Sequence, residues 1–370
     1  MPEQLSAEHR ELAARVRDFA ARELEPRRDQ SAAEARPAVV AAARAAGLFQ
    51  MTQPAESGGS AASVLALTVV RDELAAANAP HQDAVFGPGP GVLAGVGEPL
   101  ASTHLAPLLA GTRRGAFGFT EPADAVTPTH ARIDGDTLRV TGRKSYVTGG
   151  GGADFVNTLV QIEDRGPALV VIDTDAPGVT IERTFTSLDG SHHAAFRFDD
   201  VAVPVTHMIG EPGQGMPRAM RQIGDVRLAI AARCVGTMRW VIDDLTRHLE
   251  AEDGRSGGRR GDREGVRLRY ADLRIEAFAA RSMLYRTARL ADAGENVVNE
   301  GIACKVFATE AVGRVVDTAI QLVGGVALTE DHPLAVLYRQ VRSLRLAEGG
   351  SDVLRLNLAR GKLELDKGRL

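Results

Sequence analysis

Residues 131–147 have the sequence ARIDGDTLRVTGRKSYV, which predicts a β-hairpin in a chain that is otherwise mostly helical. Asp134-Gly135 is a good signal for a two-residue turn, and polar and apolar residues alternate on both sides of it. Four further strand-like runs follow, at residues 155–162, 168–172, 179–185 and 194–198. The hairpin therefore belongs to a β-rich block that begins near Ala116 and ends near Pro204.

Helical periodicity occupies the chain on both sides of this block. Before it, apolar residues recur at three-to-five-residue spacing from Leu12 to Leu24, and Ala-rich amphipathic runs cover residues 39–48 and 61–77. After it, helices are predicted at about 216–251, 266–292, 297–323 and 352–365, with a shorter one near Leu334. Because helices of this length are unusual in small domains, the C-terminal part is predicted to form a bundle.

The composition excludes several classes of protein. The 44 basic and 48 acidic residues give a net charge of −4, which argues against nucleic-acid binding. Cys234 and Cys304 lie in apolar helical runs, so we expect buried thiols in a reducing cytoplasm. His192-His193 lacks partner acids at ligand spacing, so no metal is expected. The N-terminus lacks a signal-peptide pattern and no apolar run could span a bilayer, so we expect a soluble protein without a membrane partner.

A carboxylate stands beside two glycines in Ala347-Glu348-Gly349-Gly350-Ser351, where the last predicted helix begins. Glycines let the backbone approach a ligand closely, and the first N–H groups of a helix have no partner within it. Such a place can hold a developing negative charge while the adjacent carboxylate removes a proton. A glutamate at a helix start is also explained by its favourable interaction with the helix dipole, so the motif alone is a weak signal.

The order of helices, sheet and helices, with particular residues at its joints, resembles the acyl-CoA dehydrogenase family of FAD enzymes over nearly the whole chain. Seven motifs carry the resemblance, in the family's order: Phe119–Pro122, Gly142–Thr148, Phe198–Pro204, Gly210–Gly215, Arg227–Ala232, Gln321–Gly325 and Glu348-Gly349. The resemblance implies a mainly α fold with a central β domain. Its parts are an N-terminal helical domain (residues 1–113), a β-barrel or β-sandwich domain (114–210) and a C-terminal four-helix bundle (211–370).

The resemblance places part of an FAD site in the β block. Phe117 and Phe119 match a stretch along the flavin ring, and Thr120 matches a hydroxyl bonded to the pyrimidine edge. Tyr146 matches an aromatic packed on the isoalloxazine, and Thr148 a hydroxyl near N5, the atom that accepts the hydride. Without the resemblance, Thr120 and Tyr146 would be explained as ordinary strand residues.

A second part of the FAD site is implied near the end of a long C-terminal helix. Gln321, Gly324 and Gly325 match residues that contact the ADP half of the FAD of a neighbouring subunit. Glycines there let backbone N–H groups reach the pyrophosphate. FAD binding would then need at least a dimer, and we expect a homodimer or homotetramer.

The resemblance also assigns the chemistry. Glu348 matches the catalytic base, and a water-poor pocket would raise its pKa and make it competent. Arg227 matches an arginine that faces the active site, although a structural ion pair with Asp225 or another acid would explain it equally well. Arg227 and Gly349 are the expected substrate-binding residues.

Several positions depart from the family's pattern. Ala125-Val126-Thr127 stands where a serine usually bonds the FAD pyrophosphate, and Gly350 replaces a threonine. Ala327 replaces a glycine, and a basic residue expected near Val336 is missing. These changes bear on FAD affinity and subunit packing, and they leave the base and the N5 contact in place.

The family's Arg-x-x-Phe-Gly segment is replaced by a glycine- and arginine-rich segment at residues 253–265. Three explanations stay open: a solvated loop, a substitute clamp on the FAD pyrophosphate, or a dock for an acidic acyl carrier protein. The arginines in and just after the segment are Arg255, Arg259, Arg260, Arg263, Arg267 and Arg269. The compact length and altered FAD motifs resemble family members that act on carrier-bound acyl groups in polyketide extender-unit (methoxymalonyl-type) biosynthesis.

The predicted function is FAD-dependent α,β-dehydrogenation of an acyl-CoA or acyl-ACP thioester, with electron-transfer flavoprotein or another acceptor reoxidising the flavin. One alternative is a flavin oxidase of the same fold, although nitroalkane oxidases of this fold carry Asp where Glu348 stands. The other is a non-catalytic homologue without FAD, against which Glu348, Thr120 and Thr148 argue.

Overall fold

The structure is a computed structural model that describes residues 4–252 and 257–366. Its contacts divide the chain into two compact units. The helical unit comprises the chain up to Met51, Ala61–Phe86 and the chain from Gly224 onward. The β unit comprises Thr52–Ser60 and Gly87–Ile223.

The described helices follow the predicted pattern closely. In chain order they are α1 (Ala7–Phe19), α2 (Ala32–Ala45), α3 (Val64–Ala76), α4 (Ala106–Ala110), α5 (Gly215–Glu250), α6 (Glu264–Asp292), α7 (Val298–Val323), α8 (Pro333–Leu344) and α9 (Ser351–Leu363). Polar side chains fix several starts: Ser6 and Ser63 accept hydrogen bonds from the first turns of α1 and α3, and Ser31 with Glu34 forms a capping box at α2. No helix within the described residues has the length and apolar character needed to cross a bilayer.

The core of the helical unit forms where the apolar stripes of α5, α6 and α7 meet. Val235, Leu284 and Val312 lie in it with no exposed surface. Cys234 and Cys304 are buried thiols in the same core, as predicted. Burial raises the pKa of the Cys234 thiol to about 12 and that of Cys304 to about 11, so neither is a reactive thiolate near neutral pH.

The β unit contains an eight-stranded sheet. The strands are β1 (Gly115–Gly118), β2 (His130–Asp134), β3 (Thr137–Thr148), β4 (Phe155–Ile162), β5 (Gly166–Asp173), β6 (Val179–Thr186), β7 (His192–Pro204) and β8 (Met208–Ile209). Their order in the sheet is β6-β7-β3-β2-β4-β5-β8, with β1 paired to β4. The predicted hairpin is confirmed, because β2 and β3 pair antiparallel and Asp134 faces Thr137 across a turn in which Gly135 has φ +60°.

Both faces of the sheet are covered around β5. Ala168, Val170 and Ile172 enter one apolar cluster. Leu169 and Val171 enter a second cluster, which also contains Leu93. Strand residues alternate between faces, so this run is apolar throughout instead of alternating.

Candidate active site

Glu348 lies in the short connection between α8 and α9, as its motif predicts. Its backbone has φ +52° and that of Gly349 has φ +103°. A non-glycine residue in this left-handed region costs about 1–3 kcal/mol and persists only where its surroundings fix it. Contacts with the surrounding structure must therefore hold this connection in place.

Arg227 on α5 is brought to the same place. Its guanidinium is buried, with 8% of the residue exposed, and its Nε donates a hydrogen bond to the backbone oxygen of Glu348 at 3.0 Å. The contact is with the carbonyl of the predicted base, so Arg227 holds the backbone of the connection while its charge remains near the carboxylate.

The Glu348 carboxyl is partly buried, and burial raises its pKa above the usual value of a glutamate. The positive charges of Arg227 and Lys305 oppose that change without cancelling it. A less acidic carboxyl holds a proton more readily, which suits a general base.

Lys305 on α7 is a further residue of the site, and it was not predicted from the sequence. Its side chain has no exposed surface, and Nζ donates to the backbone oxygens of Gly349 at 2.7 Å and Arg345 at 3.2 Å. Burial lowers its pKa to about 8. In the sequence, Lys305 is a single lysine within the apolar run from Ile302 to Ala308. A sequence pattern alone does not distinguish such a buried lysine from one on the polar face of an amphipathic helix.

In the β unit, Phe117 and Phe119 stack with ring centroids 5.9 Å apart. Thr120 follows them with an exposed side chain, and its backbone oxygen accepts a hydrogen bond from the Ser145 N–H at 2.8 Å. This bond ties the segment after β1 to β3, the strand that carries Tyr146 and Thr148.

Tyr146 and Thr148 lie on the exposed side of β3, whereas Val147 between them is buried. Tyr146 has φ +54° at an irregularity in the pairing of β3 with β7, and 60% of it is exposed. The Thr148 hydroxyl contacts His193 Nδ1 at 3.2 Å. An exposed aromatic ring beside an exposed hydroxyl can accept a planar, hydrogen-bonding ligand.

A pocket of about 470 Å³ opens next to these side chains. The glycine-rich turn at 149–152 and residues from β6 and β7, including Phe185 and His193, line it. The Tyr146 ring meets the edge of Phe185 at 5.2 Å. A pocket of this size suits a compact ring system, so the residues present fit a flavin.

Lys144 joins the segment after β1 to β3 from inside the β unit. It is 1% exposed, forms an ion pair with Glu121 and donates to the Phe119 backbone oxygen at 3.2 Å. Burial lowers the pKa of Lys144, and the Glu121 charge opposes this. Lys144 therefore fixes the stretch from Phe119 to Glu121 against β3.

We expect Lys144→Met to destabilise the protein by about 1–3 kcal/mol, because the Phe119 carbonyl loses its donor and Glu121 keeps only the hydrogen bonds from Thr129. FAD should also bind more weakly, since the stretch around Thr120 is then held to β3 by the Ser145 N–H bond without the Lys144 contact to Phe119. Urea unfolding and FAD titration measure the two effects. The control is Lys362→Met, which removes an exposed i,i+4 pair with Asp366 and should change little. An unchanged unfolding midpoint in Lys144→Met would contradict this role.

The residues predicted to contact the ADP half lie where α7 ends. Gln321 and Gly325 are exposed, and Gly324 has φ +94°. Arg260 donates from Nη1 to the Val323 backbone oxygen at 2.9 Å. The structure therefore brings one arginine of the 253–265 segment next to these glycines, while residues 253–256, including Arg255, lie outside the described residues.

Other clusters have simpler explanations. Among the described residues, His104, Asp173 and His207 place potential metal-binding atoms within 4.8 Å of one another. Arg113 donates to Asp173 Oδ1 at 2.5 Å, the oxygen that His104 Nε2 also contacts, and burial lowers the pKa of His104. The cluster is thus a partly buried polar network with its carboxylate already paired.

Val126 lies in the segment that replaces the serine expected to bond the FAD pyrophosphate, and it is 97% exposed.

Comparison with known proteins covers all of these elements. Family models match residues 6–94 (acyl-CoA dehydrogenase, N-terminal domain), 116–201 (middle domain) and 213–363 (C-terminal domain). The chain is 27% identical to the probable acyl-CoA dehydrogenase YngJ of Bacillus subtilis, covering 98% of this chain and 99% of that protein.

Solved structures agree with the family models. A probable acyl-CoA dehydrogenase from Mycobacterium abscessus superposes with a TM-score of 0.84 at 28% identity, covering 96% of this chain and 98% of the other. A glutaryl-CoA dehydrogenase from Mycobacterium smegmatis in complex with FADH2 gives 0.83 at 20% identity, covering 97% and 95%. The predicted family, fold class and FAD cofactor are confirmed. The chain belongs to the acyl-CoA dehydrogenase family of FAD enzymes.

Proposed function

We propose that this protein removes the α and β hydrogens of an acyl thioester, with Glu348 as the base. The observation that carries the proposal is the Glu348 carboxyl itself. It is partly buried, its pKa is raised, and Arg227 and Lys305 hold the backbone around it. These are the properties of a positioned general base.

Glu348 would take the α-proton onto a carboxylate oxygen. A thioester carbonyl makes the α C–H acidic, and the oxygen of the resulting enolate needs a hydrogen-bond donor. Among the residues that the structure describes, the backbone N–H of Glu348 donates to no acceptor, so it can donate a hydrogen bond to the enolate oxygen. The positive charges of Arg227 and Lys305 stabilise the carboxylate form that begins the cycle.

FAD, when bound, supplies the acceptor for the β-hydride at N5. We propose that the flavin ring is held by Phe117, Phe119, Thr120, Tyr146 and Thr148. The ADP half would be held by Gln321, Gly324 and Gly325 of a neighbouring subunit in a homodimer or homotetramer. We propose three functional domains, at residues 1–113, 114–210 and 211–370.

A narrower proposal concerns the acyl carrier. The exposed arginines Arg259, Arg263, Arg267 and Arg269 favour an acidic acyl carrier protein, as in polyketide extender-unit biosynthesis. Arg260 is half-buried, and its bond to the Val323 oxygen instead supports the alternative of a clamp near the FAD pyrophosphate. We propose electron-transfer flavoprotein as the electron acceptor, with oxygen as the alternative.

Reversing Arg259, Arg263 and Arg269 to Glu tests the carrier-protein surface. We expect kcat/KM for a carrier-linked substrate to fall about tenfold or more, because association loses electrostatic steering, while the CoA analogue keeps its value. Arg36→Glu with Arg342→Glu, two exposed arginines of the helical unit, provides the charge control. Equal losses on both substrates would contradict the docking surface and leave the dehydrogenase proposal intact.

A further inference from the structure

We propose that Lys305 is a positioning residue for the Glu348 base, holding the backbone on both sides of it. Its Nζ donates to the carbonyl three residues before Glu348, at Arg345, and to the carbonyl one residue after it, at Gly349. The inference rests on the proposed function, because it gives Lys305 a role only if Glu348 moves a proton.

The geometry explains how the connection keeps its shape. Two buried cations bind three carbonyl oxygens within residues 345–349, since Arg227 binds that of Glu348 and Lys305 binds the other two. The backbone at Glu348 is left-handed, which is unfavourable for a residue with a side chain. Such a conformation persists when the surrounding structure over-determines it, and these three hydrogen bonds do so.

The chemistry of Lys305 favours this role over simple packing. A fully buried ammonium group is costly, and an apolar side chain would fill the same space at lower cost. The charged and titratable groups that face it are Arg227 and Cys234 on α5, Glu310 on its own helix and Glu348. Its pKa is about 8, so it is charged at neutral pH and its charge acts on the Glu348 carboxylate.

Removing Lys305 should therefore have two separable effects. The connection loses two hydrogen bonds, so the carboxylate is held less well and the limiting rate of proton transfer falls. The nearby positive charge is also lost, so the pKa of Glu348 rises further and proton transfer needs a higher pH.

Exchange of the α-protons in D₂O isolates this step. The probes are methoxyacetyl-CoA and hexyloxyacetyl-CoA, whose β position is an ether oxygen and has no hydride to give. Glu348 breaks the α C–H bond, and a deuteron returns to the same carbon, which NMR follows on the FAD-loaded enzyme. The variants are Lys305→Met, Lys305→Gln and Glu348→Gln. Thr309→Val is the control, because it alters a buried hydroxyl one turn along α7.

We expect Lys305→Met to lower the limiting exchange rate about tenfold to a hundredfold and to move the pH midpoint up by about one unit. Lys305→Gln keeps an amide donor without the charge, so it should retain most of the rate and share the alkaline shift. Thr309→Val should match the parent protein in both quantities, and FAD content is measured for every variant.

The outcomes separate the inference from the proposed function. If Lys305→Met exchanges at the parent rate with the parent midpoint, Lys305 does not position the base. If that variant fails to fold, parent-like exchange in Lys305→Gln, in both rate and midpoint, overturns the inference in its place. A parent protein that exchanges no faster than Glu348→Gln would overturn the proposed function, and the inference with it.

Discussion

Glu348→Gln should retain bound FAD and lose acyl-thioester oxidation by a factor of about 10² to 10⁴. Glutamine keeps the shape of the side chain and cannot take the α-proton. Its backbone is unchanged, so the bonds from Arg227 and Lys305 to the connection remain. The loss should therefore fall on the chemical step and leave the fold intact.

Anaerobic stopped-flow absorbance measures this loss as the rate of flavin bleaching. Asp352→Asn is the matched control, because it neutralises an exposed carboxylate in the first turn of α9. In the parent protein the rate should fall as the pH falls through the raised pKa of Glu348, since only the ionised carboxylate accepts a proton. Bleaching by Glu348→Gln at nearly the parent rate would show that another group is the base.

Asp72→Ala should cause the largest loss of stability, about 3–5 kcal/mol. Asp72 on α3 is fully buried and accepts hydrogen bonds from Tyr285 on α6 at 2.6 Å and from Arg239 on α5 at 2.8 Å. Arg281 Nε lies 3.4 Å from the same carboxylate oxygen that Tyr285 contacts. Removal of the carboxylate leaves Tyr285 and Arg281 without this acceptor and Arg239 with Glu73 alone, inside the helical unit.

Thermal unfolding followed by the helical circular dichroism signal should show Tm lowered by roughly 10 °C. Asp18→Ala is the control, because Asp18 pairs with Arg22 on the surface of the same unit and should contribute less than about 1 kcal/mol. If Asp72→Ala unfolds within a degree or two of the parent protein, the buried network does not stabilise the contact of α3 with α5 and α6.

The helices and the hairpin could be predicted from the sequence because each is encoded by residues close together in the chain. Asp134-Gly135 fixes the hairpin through the turn, and the long helices follow from the spacing of their apolar residues. The Asp72 network is different, since its partners lie 167 and 213 residues away in the chain. No periodicity links residues at such separations.

The candidate site was predictable only in part for the same reason. The Glu348 motif and the resemblance pointed to the base and to Arg227, and the structure brings these two together. Lys305 reaches the connection across 44 residues, and nothing local distinguishes it from a solvated lysine. The left-handed backbone at Tyr146 and Glu348 also depends on tertiary contacts that a sequence pattern does not contain.

Acyl-thioester oxidation by a bound flavin is tested most directly by an anaerobic visible spectrum of the purified protein during titration with CoA-linked and carrier-linked acyl thioesters. We predict a yellow protein that is bleached by at least one of them, which would establish the dehydrogenase half-reaction and name the substrate class. Admitting oxygen afterwards distinguishes an oxidase, which recovers its colour at once, from a dehydrogenase. A colourless protein that FAD cannot reconstitute, or a yellow one that no acyl thioester bleaches, would contradict the proposed function.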